Sequence, residues 1–300
     1  MKRKKSQRQI VIDPRKLLRA FGKPGLLITG VNTDIGKTTV TAALAGAFSR
    51  LGIRVGLCKP IAAGCPKHPD RGSPEGLTDD DMLSPDAEIS MNMIGLNPKD
   101  TNLLAYASPI RFAAPVSPYL AAKIEQRSID WQRVAMAMDY WRDNCDFLLV
   151  EAAGGWMSPL DDRPRLFTVA DMAAIFKLPA IVVTGTYWGV LGHTMLVTQS
   201  ARARKVPVMG LVVNHVSPTQ DLAMNSAPEE LPKLTGLPVL AVLPQLEKLP
   251  EDRVPEEFVE KFVPFARYYY KMIVGSRRSV RKTTTKPSKN LRPPKRKRSK

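Results

Sequence analysis

The fold is decided between residues 26 and 39, where Leu26-Leu27-Ile28-Thr29 runs into Gly30-Val31-Asn32-Thr33-Asp34-Ile35-Gly36-Lys37-Thr38-Thr39. The apolar run predicts a buried strand. Thr38–Arg50 carries Val40, Leu44, Ala47 and Phe48 at helical spacing, and Gly52 follows where a helix should stop. A glycine loop between strand and helix aims backbone N–H groups and the positive helix end at one point, which suits phosphate oxygens. In such a loop Lys37 reaches the β/γ-phosphates and the Thr38 hydroxyl ligates Mg²⁺. The common spacing needs a glycine five positions before Gly36, but that position is Val31. The first glycine is Gly30, so this loop is longer by one residue.

Outward from this stretch, short apolar runs recur at 54–58, 147–150, 180–184, 208–213 and 239–242. Helical patterns at 118–126, 130–143, 168–177, 193–204 and 221–235 separate them. Strands apolar along their whole length and separated by helices predict an α/β fold with a parallel sheet covered by helices on both faces. Ligands bind such sheets at the carboxyl ends of the strands, and the polar residues fall there. Lys59 ends the second strand, Glu151 the third and Asn214 the fifth. Glu151 is a candidate Mg²⁺ ligand, and the Asn214 amide is placed to hydrogen-bond a nucleotide base. The stretch 64–86, rich in Pro, Gly and Asp, reads as a long irregular loop. At its end Ser84-Pro85 predicts a helix start with Asp86 in the first turn, and Asp86 or Asp81 is the candidate third metal ligand. His193 opens a helix and reads as a capping or packing residue.

The net charge of +17 suggests a nucleic-acid binder until it is localised. Residues 1–19 hold eight Lys/Arg and one acid, and residues 276–300 hold twelve Lys/Arg and none, whereas 20–275 holds 25 bases against 27 acids. The domain reading is a basic extension over 1–22, a phosphate-loop catalytic domain over 23–270 and a basic, disordered tail over 271–300. The tails suit loose, salt-sensitive contact with nucleic acid or an anionic surface. Cys58, Cys65 and Cys145 form no CxxC pair, so reduced thiols and a cytoplasmic location are expected. No run reaches the ~18–20 apolar residues of a membrane helix.

The residues resemble the dethiobiotin synthetase family. The loop Gly30–Thr38 is similar to that family's Gly-Thr-Asp-Thr-Glu-Val-Gly-Lys-Thr, extra residue included. Lys59-Pro60-Ile61-Ala62-Ala63-Gly64 resembles its Lys-Pro-Val-Ala-Ser-Gly. Phe112–Pro118 resembles Phe-Ala-x-Pro-x-Ser-Pro, and Val150–Trp156 with Pro159-Leu160 resembles Val-Glu-Gly-Ala-Gly-Gly-Trp-x-x-Pro-Leu. The likeness runs in family order from about residue 25 to 245.

The resemblance implies ATP- and Mg²⁺-dependent closure of the ureido ring of dethiobiotin from 7,8-diaminononanoate and CO₂, through a carbamate and a carbamic-phosphoric anhydride. It implies an ATP site made by Asp34, Ile35, Gly36, Lys37, Thr38 and Thr39, by Glu151 and Asn214, and by Pro244, Gln245 and Leu246. Metal ligands would be Thr38, Asp86 and Glu151. Thr33, Lys59, Ala63, Gly189 and Gly192 would meet the substrate, with Lys37, Lys59 and Thr33 catalytic. It also implies a homodimer that shares the substrate pocket, with the helix start at Gly189–His193 receiving the substrate carboxylate. Three positions depart from the family pattern. Ala63 replaces a serine, Gly192 replaces an asparagine, and Ala152 replaces a glycine and should bring a Cβ close to the ligand. These departures keep open a diverged phosphate-loop amidoligase acting on another amine or carboxylate. The basic tails keep open a DNA-associated partition-type ATPase, although the signature lysine of that class is Asn32 here.

Overall fold

The computed structural model describes residues 13–68, 78–214, 222–246 and 252–284. The first half of the chain runs α1 (Pro14–Leu17), β1 (Gly25–Gly30), α2 (Lys37–Arg50), β2 (Val55–Cys58), β3 (Ile61–Ala63), α3 (Pro85–Met93), α4 (Thr101–Ala107), β4 (Ile110–Phe112), α5 (Pro118–Ile124) and α6 (Trp131–Asn144). The second half runs β5 (Phe147–Glu151), β6 (Pro159–Asp161), β7 (Phe167–Thr168), α7 (Val169–Phe176), β8 (Ala180–Thr184), α8 (Val190–Ala203), β9 (Val208–Asn214), α9 (Leu222–Asn225), α10 (Ala227–Thr235), β10 (Val239–Leu243) and α11 (Glu256–Thr284). Six strands form one parallel sheet in the order β10-β9-β8-β1-β5-β2. Every residue of β1, β2, β5 and β8 is buried, as strands covered on both faces must be.

Aromatic packing anchors α2 to the sheet. Phe48 stacks on Phe147 with ring centroids 4.1 Å apart, and Tyr269 of α11 meets Phe147 edge-on at 6.0 Å. Phe258, Val259, Phe262, Ala266 and Tyr269 form the buried stripe of α11 at helical spacing. Outside the main sheet, β3 pairs parallel with β4, and β6 pairs antiparallel with β7. Cys58, Cys65 and Cys145 are free and buried. No helix of the described residues is long and apolar enough to cross a membrane.

Two boundaries differ from the sequence reading. Residues 13–22 are folded against the body rather than part of a free extension. Leu18 is 6% exposed and Phe21 is fully buried; the Phe21 N–H donates to Phe176 O at 2.9 Å, and Arg142 Nε donates to Phe21 O at 2.9 Å. Basic composition hid two apolar anchors. At the other end, residues 271–284 continue α11 as helix, because a helix nucleated by a packed stripe propagates cheaply until the sequence stops it. Residues 1–12 and 285–300 lie outside the described residues, as does 69–77 of the long loop.

Replacing Phe21 with alanine should cost about 3–5 kcal/mol of unfolding free energy, read as a lowered urea midpoint. A wild-type midpoint would mean that residues 13–22 are not part of the cooperative unit.

Candidate active site

The sheet register brings the site together. Cys58 pairs with Val150 and Ile28 with Glu151, so Lys59 and Glu151 leave adjacent strands side by side, next to the loop that follows β1. That loop and α2 close around a cavity of about 630 Å³, lined by Thr33, Asp34, Gly36–Thr39, Lys59, Ala63, Asp86, Pro115–Pro118, Glu151, Ala153, Gly154 and Ser158.

At its floor lies a compact charge cluster. Glu151, 3% exposed, accepts at Oε1 from Thr38 Oγ1 at 2.8 Å and from Lys59 Nζ at 2.8 Å. The Lys59 ammonium also donates to Asp86 Oδ2. Burial opposes the charge on Lys59, but Glu151 and Asp86 outweigh it and hold the ammonium above the ordinary lysine value. Burial likewise opposes the charge on Asp86, and the pull of Lys59 overcomes it, leaving the carboxyl below the usual aspartate range. Burial dominates at Glu151 and raises its carboxyl, and burial lowers Lys37.

Backbone conformation shapes the rest. Gly36 caps α2 at φ +90°, and a Cβ there would lie 2.1 Å from Asn214 Nδ2. The Asn214 amide donates to Ile35 O at 3.1 Å and thereby braces the loop. Lys37 Nζ folds back to Asn32 O at 3.1 Å. Gly154 takes φ +70°, where a Cβ would lie 2.3 Å from Ser158 Oγ, and that hydroxyl accepts from Gly155 N at 2.8 Å.

Several expected residues do not face the cavity. Asp81 is spent on Thr78, accepting from its N at 2.9 Å and its Oγ1 at 2.7 Å, so of the two candidate carboxylates it is Asp86 that reaches the cavity. Ile35 is buried in the core and offers only its backbone to the loop. Ala152 is fully buried too. Its N–H donates to Ile28 O at 2.9 Å just past the end of β5, its side chain lies in the core, and Ala153 is the alanine on the cavity wall. Gly189 caps α8 and Gly192 looks into open space; neither lines this cavity, and neither do Asn214, Pro244, Gln245 and Leu246. His193 has a partner that sequence reasoning did not supply, since its Nδ1 lies 2.9 Å from the Tyr187 hydroxyl. Ser158 and the Pro115–Pro118 wall were unassigned from sequence. No signal marked Ser158, whereas 115–118 stood inside a recognised segment.

A family model described as an AAA domain matches residues 24–253. The ATP-dependent dethiobiotin synthetase BioD of Thermodesulfovibrio yellowstonii is 32% identical over 246 residues, spanning 80% of this chain and 96% of that protein. The chain belongs to the dethiobiotin synthetase family. A synthetase of the same name from Marinobacter nauticus is 34% identical, covering 78% of this chain and 94% of its own length. BioD 1 of Escherichia coli K12 is 30% identical with 77% and 95% covered. Among solved structures, a putative plasmid partition protein from Borrelia burgdorferi aligns at TM-score 0.49 and 12% identity over 84% of this chain and all of that one. The cavity lining, from Thr33 to Ser158, lies wholly within the residues that the family model matches.

The low aspartate value fixes a sign for pH dependence. The Asp86 contribution to stability is fully present above the ordinary aspartate pKa and is lost as pH falls through the lower folded value. As pH falls below the ordinary aspartate value of about 3.9, wild type should therefore lose more stability than Asp86→Asn, measured by urea unfolding at each pH. Parallel acid limbs would mean that the Lys59–Asp86 pair adds nothing.

Proposed function

We propose that this chain catalyses ATP- and Mg²⁺-dependent ring closure of 7,8-diaminononanoate with CO₂ to dethiobiotin. The observation that carries the reading is the meeting of Lys59, Glu151, Asp86 and Thr38 in one cavity with the phosphate loop. Two carboxylates and a hydroxyl are hard oxygen donors of the kind that hold Mg²⁺ alongside waters and substrate phosphates. The Lys59 ammonium already bridges the two carboxylates as a cation.

In this reading the backbone of Asp34–Thr39 and the Lys37 ammonium bind the triphosphate, while Thr38, Asp86 and Glu151 hold the metal. The metal supplies charge neutralisation at the phosphoryl oxygens. Lys59 faces the carbamate formed on one substrate amine and offsets the charge that develops as a carbamate oxygen attacks the γ-phosphorus, the bond to the bridging oxygen breaks and ADP departs. Attack by the second amine on the anhydride carbon closes the ring and releases phosphate. Thr33 and Ala63 sit at the substrate end of the cavity wall, and alanine at 63 leaves the carbamate without a hydroxyl partner there. Asn214, with Pro244, Gln245 and Leu246, meets the nucleotide base.

Gly189 and Gly192 lie away from this cavity, so a carboxylate-binding role for the start of α8 needs a second copy of the chain. Trp188 just before Gly189 and Leu196 within α8, exposed at 72% and 66%, support a dimer surface that includes this helix. The basic residues beyond Thr284 would add salt-sensitive contact with nucleic acid, independent of the reaction.

Purified protein should turn over ATP only when diaminononanoate and bicarbonate are both present. Lys37→Ala should lower that turnover on the order of 10²–10³-fold with circular dichroism unchanged; full activity would reject the phosphate-loop assignment. Lys59→Ala should keep nucleotide affinity and lose ring closure, followed by titration with a fluorescent ATP analogue and by product formation. A large loss of nucleotide affinity would instead make Lys59 a phosphate ligand. Leu196→Asp should yield monomers by sedimentation and weaken diamine binding; an unchanged sedimentation coefficient would remove the dimer surface from this face.

A further inference from the structure

Outside the cavity, a dense polar cluster centres on Asp79. This residue is 7% exposed and opens a 3₁₀ turn over Asp79–Asp81. Its Oδ1 accepts from Arg111 N at 2.7 Å and from Arg127 Nη2 at 2.6 Å, and its Oδ2 accepts from Arg133 Nη1 at 3.2 Å. Arg111 Nε also donates to Asp79 O at 2.6 Å. Three guanidiniums therefore converge on one aspartate from β4, from the connection after α5 and from α6. Asp80 balances them further by accepting from Arg111 Nη2 at 3.2 Å and Arg133 Nη2 at 2.8 Å.

None of these side chains lines the active cavity, yet the hub is tied to two of its walls. Along one arm, Met82 N donates to Asp79 O at 3.3 Å and Leu83 N to Pro66 O at 2.9 Å, which leads directly into α3 and Asp86. Along the other, Arg127 Nη1 bonds Glu125 Oε2 at 3.1 Å, and Glu125 Oε1 accepts from Ala114 N at 2.9 Å, immediately before Pro115–Pro118. A buried carboxylate held by two guanidiniums and a backbone N–H, with a third guanidinium on its own carbonyl, has a fixed position, because losing a partner leaves a polar or charged group unpaired away from water.

We infer that Asp79 is a positioning residue: it sets where Asp86 stands relative to Thr38 and Glu151, and so tunes divalent-cation affinity in the nucleotide complex. The inference rests on the reading of Asp86 as a metal ligand given above. Displacement of a ligand by its supporting shell costs roughly 10–100-fold in metal affinity.

The test is a double-mutant cycle read by Mn²⁺ binding to the protein–ATP complex, followed by electron paramagnetic resonance. Asp79→Asn should weaken Mn²⁺ by about tenfold or more while ATP affinity measured in chelator stays at the wild-type value. In an Asp86→Asn background, the same substitution should have no further effect on Mn²⁺. Arg133→Gln, which removes one donor from the half-exposed side of the hub, should act in the same direction with smaller size and serves if Asp79→Asn does not fold. An Asp79→Asn effect that persists in full without Asp86, or that appears equally in metal-free ATP affinity, would overturn the inference, as would wild-type Mn²⁺ affinity in Asp79→Asn or in Arg133→Gln. If Asp86→Asn alone weakens Mn²⁺ but Asp79→Asn does not, only the positioning role falls. If neither does, the metal-ligand reading of Asp86 falls with it.

Discussion

One oxygen of Glu151 takes hydrogen bonds from both Thr38 and Lys59, and the site is organised around that acceptor. The bonds join the end of β5 to the first turn of α2 and to the residue that follows β2, so three segments distant in sequence share one carboxylate. A charge this far from water is tolerable only when paired and hydrogen-bonded. Each member of the cluster therefore depends on the others: Lys59 stays charged because two carboxylates face it, and Asp86 stays charged because Lys59 does. The charge count has a chemical consequence. Lys37 and Lys59 are matched by Glu151 and Asp86, which leaves no surplus positive charge for a triphosphate, so a divalent cation is the natural complement to the polyanionic substrate.

The parallel sheet makes this convergence inexpensive in conformational terms. With β1 between β5 and β8, the loop after β1 lies at the centre of the strand ends, and the neighbouring strands deliver Glu151 and Lys59 without long excursions. Trp156 consolidates the same edge: its N–H donates to Gly30 O at 2.9 Å and its indole Nε1 to Ser200 Oγ at 2.9 Å. The Gly-Gly-Trp segment thus fastens the end of β5 to β1 and α8, and the indole serves packing rather than chemistry.

Local pattern was enough to read the central sheet and most of its helices, because a strand buried on both faces is apolar throughout and each helix shows a periodic face. Phosphate-binding chemistry was equally legible, since Gly36, Lys37 and Thr38 are contiguous. Less visible were features created by distant partners. The short strands β3 and β4 exist by pairing with each other. The anchors Leu18 and Phe21 stood among basic residues, and the tail composition masked a helix whose buried stripe begins at Phe258. At Ala152 the family pattern points to a Cβ near the ligand, whereas the N–H bond to Ile28 O just past β5 accompanies a side chain buried in the core, a placement set by the neighbouring strand. The loop that carries Asp86, with Asp81 as the alternative, has no periodicity to place either carboxylate; the Thr78 hydroxyl captures Asp81, and Asp86 lines the cavity.

The three cysteines lend the molecule a property unrelated to its chemistry. Burial pushes the Cys65 thiol up to about 12 and Cys145 up to about 11, and raises Cys58 as well. Thiolate, the species that alkylating reagents attack, is thus scarce in the native state. The folded chain is a silent background on which one engineered surface thiol can be tagged alone, and the native sulfurs become timers that register only when the sheet opens.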